Sequence, residues 1–408
     1  MKLVLVLALV LVLDLPSTAG GLGRPNSISA RGVGLGGAFA ALADDATALY
    51  FNPGALADID PQATVGGELV VGPRSYTPTL MDGSQGPKQS ATVVAPLPAL
   101  GAVYRFTDSD DRPSPITFGV GVWNTFGGKV SFPKSGTPAL DSTEDAAIEA
   151  SAGVAYRVSD KLAVGGALRL GVGLFAADAT MMPYDSQLSG SGVGLAVAAG
   201  ALVKPTDTLR VAVAWRSPLH IETDGSGTIQ FPGGASQEQF THAQKWPQQA
   251  SLGVALVPDR QLRVAAQLDW SQWSTVQELA VRFPANAALD QIYPEAWRDT
   301  WTVRAGAEYA FTSALAARAG AYYDTSAVPD RSLERQYLDS NKVGVAAGAS
   351  VRAAGWRVDA ALDLVLPSTR TVPDNTSATT AFPADRNKAP GSYSGTLVTV
   401  ELAVAHPL

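Results

Sequence analysis

A two-residue periodicity, carried through long runs, constrains this chain more than any other feature of its sequence. Residues 162–174 set Leu162, Val164, Gly166, Leu168, Leu170, Val172 and Leu174 on one face against Ala163, Gly165, Ala167, Arg169, Gly171 and Gly173 on the other. Residues 262–270 repeat the pattern, with Leu262, Val264, Ala266, Leu268 and Trp270 against Arg263, Ala265, Gln267 and Asp269. Residues 209–215, 303–311 and 356–364 do the same. Successive strand side chains point to opposite faces, so each run reads as a strand with one oily side and one side of small and charged groups. Soluble sandwiches also alternate, but two observations separate this chain from them. Its runs last about 10 to 14 residues, beyond the usual 5–6 of soluble sheets and enough to cross a bilayer at a tilt. Its connections alternate in length as well. Short turns fall at Ser159-Asp160, Pro205-Thr206-Asp207, Pro258-Asp259-Arg260 and Thr312-Ser313, and long segments at 176–190, 217–248, 271–298, 325–341 and 367–394. Short periplasmic turns and long outer loops are the habit of outer-membrane barrels.

Composition narrows the choice further. Only 16% of residues are charged, against about a quarter in soluble domains. Past the first residues no run reaches the roughly 18 apolar residues of a spanning helix, so a chain that crosses must close its strands on themselves to pair every backbone group. The net charge of -7 argues against nucleic acid, whose backbone rewards basic surfaces. With no cysteine there are no disulfides, thiolate metal sites or cysteine nucleophiles. Lys2, the apolar stretch 3–13 and Pro16-Ser17-Thr18-Ala19 form a secretory leader over 1–19.

The expected fold is all-β: a 14-stranded antiparallel transmembrane β-barrel over 62–408, with an N-terminal hatch, 20–61, as a plug inside the lumen. The strands are expected at 62–72, 92–106, 115–126, 147–158, 161–175, 191–204, 207–217, 248–258, 260–271, 299–311, 314–324, 341–352, 355–366 and 395–406. An even number returns both ends to the periplasmic side. The second strand is interrupted by Pro96 and Pro98. Within 20–61, Gly32, Gly34, Gly36 and Gly37 permit backbone shapes and close approaches closed to bulkier residues. With no Lys-Ser/Thr after them and no strand before, they are not a phosphate loop.

The run Gly32-x-Gly-x-Gly-Gly-Ala, followed by Asp44-Asp45-Ala46 and Asn52-Pro53, resembles the N-terminal hatch of the FadL-type outer-membrane transporters. The stretches 269–274, 301–309, 318–324 with Pro329-Asp330, and 391–395 resemble later passages of that family, in the same order. The chain departs from the pattern at Gly54, where the family has Ala after Asn-Pro, and at its non-aromatic end, His406-Pro407-Leu408. The resemblance implies passive uptake of long-chain fatty acids or hydrocarbons, a monomer, an outer membrane of lipid and lipopolysaccharide as surroundings, and a kinked third strand with a hole in the wall. Phe126-Gly127-Gly128 is the candidate kink, since glycine weakens a ladder and permits a bulge.

Phe39, Leu42, Leu49 and Phe51 are candidates for an apolar ligand pocket on the hatch, or for plain packing against the wall. Inward charges such as Arg169, Asp269, Arg304, Glu308, Arg318, Arg352 and Asp359 are read mainly as partners for one another and anchors for the plug, with a ligand carboxylate on one of the arginines as the second use. Trp215, Trp270, Trp273, Trp301, Tyr309, Phe311 and Trp356 are expected in an interfacial girdle. His220, His242 and His406 lack metal-ligand or triad spacing, so no catalytic residue, metal or cofactor is expected. The alternative is a polar-solute porin or a structural barrel.

Overall fold

The computed structural model describes residues 28–80, 82–107, 109–110, 112–134, 139–180, 184–374 and 388–408; the expected leader 1–19 and residues 20–27 of the expected hatch lie outside them. In chain order the strands begin with β1 (Gln62–Pro78), β2 (Gln89–Thr107), β3 (Pro113–Ser131), β4 (Ala139–Ser159), β5 (Leu162–Thr180), β6 (Asp185–Val203) and β7 (Leu209–Arg216). They continue with β8 (Leu219–Phe231), β9 (Gly234–Trp246), β10 (Gln249–Leu256), β11 (Leu262–Ser271), β12 (Glu278–Arg282) and β13 (Gln291–Pro294). The last are β14 (Thr300–Ala310), β15 (Leu315–Asp324), β16 (Lys342–Ala353), β17 (Trp356–Pro367), β18 (Arg370–Val372), β19 (Gly391–Gly395) and β20 (Leu397–Pro407).

Fourteen of these strands form a closed antiparallel wall. β1 to β7 pair in sequence. The ring continues through β10, β11, β14, β15, β16 and β17 to β20, and β20 pairs back onto β1 from Gln62↔Pro407 to Val71↔Val398. The remaining strands extend the wall on the long-loop side: β8 pairs with the outer part of β6 and with β9, β9 meets the β12–β13 hairpin, and β19 pairs with the outer end of β1 and with β18.

Side-chain parity follows the sequence reading. Leu168, Val193, Leu195, Val303 and Leu402 are exposed on the outside of the cylinder, while Arg169, Glu308, Arg318, Asp359 and Glu401 are buried within. Tyr104, Phe106, Tyr309, Phe311 and Trp356 mark the short-turn end of the exposed face, and Trp215, Trp301 and Tyr323 the other. Arg352, expected inside, is exposed at the end of β16.

The first six strands overrun their expected limits, reaching 17 to 21 residues, and the expected loop 217–248 is mostly the β8–β9 hairpin. Beyond the membrane both faces of a strand meet water or polar neighbours, so alternation fades. The sequences there, such as Asp141-Ser142-Thr143-Glu144 and Asp185-Ser186-Gln187, carry no periodic signal. The ladder nonetheless continues, because hydrogen-bonded pairing of extended chain needs no oily face.

Inside the cylinder lies residues 28–59. This segment forms α1 (Ala30–Gly34), α2 (Ala48–Phe51) and a 3-10 turn, Pro53–Asp58, packed against β3–β6 on one side and β15–β17 on the other. Helices this short are not stable alone. Ser29 caps α1 by accepting from Gly32 N–H, and Asn52 caps the 3-10 turn by accepting from Gly54 N–H, with Pro53 first in the turn; the wall supplies the rest.

Candidate functional site

The inner segment is seated by charge on one side and by close backbone contact on the other. The Arg31 guanidinium donates to Asp44 at 2.6 and 2.7 Å and to Glu308 at 3.0 Å, and lies 3.6 Å from Asp359. Arg318 closes the network on Glu308 at 2.5 Å, Arg357 reaches Asp359 at 2.8 Å, and Arg263 reaches Asp44 at 3.4 Å. Burial by itself raises the Asp44 carboxyl, but Arg31, Arg357 and Arg263 together hold it well below the usual carboxylate range. Asp45 accepts from Ser29 Oγ at 2.9 Å and from the Thr47 hydroxyl, so it shapes the turn before α2.

Gly36, at φ +64, and Gly37, at φ +82, take the left-handed turn after α1. A Cβ on Gly36 would come 2.8 Å from Ala321 N in the wall, and one on Gly34 3.2 Å from Gly348 Cα. Gly32 lies under the Phe39 and Phe51 rings. Asn52 donates to the carbonyls of Ala40 and Ala201, and the Pro53 carbonyl lies against Gly165. At Gly54 a Cβ would stand 2.8 Å from the Gly200 carbonyl oxygen, so the departure from Asn-Pro-Ala matches a closer seat on β6. Phe39, Leu42, Leu49 and Phe51 all lie buried in the shared core of segment and wall. Phe51, edge-on to Phe39 at 5.2 Å, also lines a small cavity with Tyr50 and Arg216.

The wall itself is split. β2 and β3 pair from Thr107↔Pro113 up to Leu100↔Val122, and among the described residues their ladder goes no higher. β3 continues to Ser131, paired to β4 alone, with a bulge between Asn124 and Phe126. Just beyond it Gly127 has φ +71, and a Cβ there would overlap the Asp145 carbonyl oxygen. Phe126-Gly127-Gly128 thus lies within a strand of 19 residues and not at its end, as the expected limit of 126 had it. Pro96 and Pro98 do not interrupt β2: its register with β1 is unbroken from Gln62↔Val103 to Tyr76↔Gln89. A proline cannot donate to a ladder, so the missing N–H groups fall on the β3 side, where the ladder is absent.

Beside this split lies an open cleft lined by Gly127 and Gly128, by Trp246, Trp273, Trp297 and Tyr337, and by Val276 and Leu279 among others. Its aromatic rings form a chain. Phe126 stacks on Trp246 at 5.1 Å, Trp246 meets Trp273 edge-on at 6.4 Å, Trp273 meets Trp297 at 5.6 Å, and Trp297 meets Tyr337 at 5.8 Å. Gln244 on β9 ties the cavity to β4 and β5, donating to Asp145 at 2.6 Å and to the Leu174 carbonyl at 2.8 Å. Inward arginines are mostly engaged within the protein: Arg169 and Arg216 share Glu149, and Arg304 donates to Asp269 at 2.5 Å and to the Gly36 carbonyl at 3.1 Å.

The family model described as outer membrane protein transport protein (OMPP1/FadL/TodX) matches residues 11–402. The chain belongs to that family. Solved structures agree in fold. A FadL homologue from Pseudomonas aeruginosa superposes with a TM-score of 0.80 at 17% identity, covering 95% of this chain and 99% of its own. The toluene transporters TodX of P. putida and TbuX of Ralstonia pickettii give TM-scores of 0.72 and 0.69 at 15% and 16% identity, each covering 94% of this chain and 99% of its own. No curated protein matched.

For this FadL/TodX-family chain, the aromatic cavity is what sequence reasoning missed. Trp273, expected in the girdle, is 3% exposed and faces the cavity. Trp246, Trp297 and Tyr337 come from segments read as loops. The available signal was weak: three tryptophans and a tyrosine scattered without periodicity through long connections that carry other apolar residues as well.

Proposed function

We propose that this outer-membrane transport protein is a passive channel for hydrophobic small molecules, long-chain fatty acids or hydrocarbons, which it takes from outside into the aromatic cavity and releases sideways through the wall. The observation that carries the reading is the interrupted β2–β3 ladder lying beside that cavity, with Gly127 and Gly128 common to both. An apolar molecule gains roughly 25 cal/mol for each Å² it removes from water. Stacked indoles and phenols hold such a molecule, and the split offers a way into lipid that avoids the bore. Residues 28–61 act as the stopper below, so that no aqueous path competes. The toluene transporters TodX and TbuX are similar in fold across nearly the whole chain, which supports the substrate class.

The deciding experiment restores the ladder. Pro96→Val with Pro98→Val returns two N–H donors to the side of β2 that faces β3. Uptake of labelled toluene and oleate by cells carrying the double variant is expected to fall several-fold, while the barrel still folds and keeps its heat-modifiable mobility. Unchanged uptake in a folded double variant rejects lateral release.

A further inference from the structure

Three outer segments meet over the aromatic cavity at one lysine. Lys388, ahead of β19, donates to Glu334 at 2.8 Å and to Glu295 at 3.3 Å, and its ammonium stands 4.6 Å from the centre of the Tyr293 ring. Its backbone N–H is anchored on the Arg331 carbonyl at 2.9 Å. Glu295 is 0% exposed, and its other oxygen accepts from the Trp297 indole at 3.1 Å. Between the two, Ala296 has φ +46, a left-handed conformation that a residue with a Cβ holds only under constraint. The backbone N–H groups of Glu295, Ala296 and Trp297 supply that constraint through the Gln277 and Val276 carbonyls. The strain is localised where the carboxyl and the indole must lie side by side, and that indole is a wall of the cavity, edge-on to Trp273 and Tyr337.

The charges do not balance. One ammonium serves two carboxylates, and a surplus negative charge away from water is costly unless it takes up a proton. The charged and titratable groups acting on Glu295 are Lys388, Glu334 and Tyr337; Tyr293 faces Lys388 and Glu334, and Asp145 acts on Tyr337 from β4. Burial and the neighbouring Glu334 push the Glu295 carboxyl up to about 7, against the pull of Lys388 and the Trp297 hydrogen bond. Burial likewise pushes the Tyr293 phenol up to about 12, so it stays neutral beside the cluster.

We propose that Glu295 is a positioning residue: it holds the Trp297 ring as a wall of the aromatic cavity, and its proton controls how firmly the outer segments close over that wall. The inference rests on the cavity being the ligand site. A folded-state value raised above that of the unfolded chain means that protonation favours the closed arrangement. The stabilisation is whole below about 4.3, the unperturbed glutamate value, and is lost as pH rises through about 7. The cavity therefore closes in mildly acidic surroundings and loosens in alkaline ones.

The test uses the full chain in detergent micelles and two readouts between pH 5.5 and 8.5. The first is saturable binding of radiolabelled toluene over a micelle blank. The second is amide hydrogen exchange of residues 295–299 and 332–338 without ligand, corrected for the intrinsic rate. Wild-type affinity is expected to fall on the order of fivefold across the range, with faster exchange in both segments. Glu295→Gln, which keeps an oxygen for the indole but cannot ionise, is expected to bind at the acidic wild-type level throughout, and Glu334→Gln to flatten the profile by removing the competing charge. A wild-type slope retained in Glu295→Gln overturns the proposal, as does wild-type exchange that ignores pH. Exchange that follows pH in the wild type and not in Glu295→Gln, with no toluene bound at any pH, upholds the clamp and rejects the cavity as the ligand site.

Discussion

Arg31 sits between Asp44 on its own segment and Glu308 and Asp359 on the wall, all at 3.6 Å or less. Removing one partner of a buried ion pair leaves the others uncompensated, at a cost of about 3 kcal/mol or more. Arg31→Met is therefore expected to loosen the inner segment within an intact barrel, read as faster hydrogen exchange over residues 28–58 with the wall strands unchanged. At this scale the sequence was legible wherever chemistry was local. Gly36 and Gly37 stand in a glycine-rich run whose backbone freedom is plain from its residues, and they hold positive φ; Asn52, set before a proline, caps the turn. Pairings across some 270 residues, such as Arg31 with Glu308, were not legible, because parity says which side chains face inward but not which of them meet. Phe39 and Leu42 illustrate the same limit: their apolar character fits a ligand pocket and a packed core equally, and only the neighbours decide.

At the level of elements, the β3 bulge turns on one residue. Gly127 combines a positive φ with a carbonyl where a Cβ would stand. Gly127→Ala pays for both the left-handed conformation and the overlap, about 2 kcal/mol or more, and is expected to lower the midpoint of thermal unfolding of the micelle-bound barrel. Alternation marks the wall strands because the membrane enforces it: one face must be oily, the other need not be. Where β1 to β6 rise past the bilayer that demand lapses and so did the reading of their ends. At about 3.3 Å per residue a 19-residue strand extends roughly 60 Å, against an apolar band of about 25 Å, so much of each long hairpin stands outside it. The cavity is built largely in that outer region, which is why its aromatic residues carried no periodic mark.

For the molecule as a whole, a cylinder occupied by residues 28–59 leaves little room for water to run through. In planar bilayers the protein is expected to show no large steady ion current, and deletion of residues 30–56 to raise conductance; a large steady current from the intact chain would favour a polar-solute pore. Among the described residues the ring, closed by its β1–β20 seam, pairs each wall strand with both neighbours, and the β2–β3 ladder is the one that stops at mid-height.

That split has a consequence for the lipid outside. An amide N–H turned toward hydrocarbon without a partner costs several kcal/mol and draws in water or headgroups to satisfy it. Pro96 and Pro98 lie on the outward-facing parity of β2 with Val94 and Leu100, and they delete two such donors from the margin. The margin is thereby left with two fewer amides to hydrate, so a hydrophobic molecule leaving by the proposed side route would meet less bound water on the β2 edge than an ordinary strand would carry.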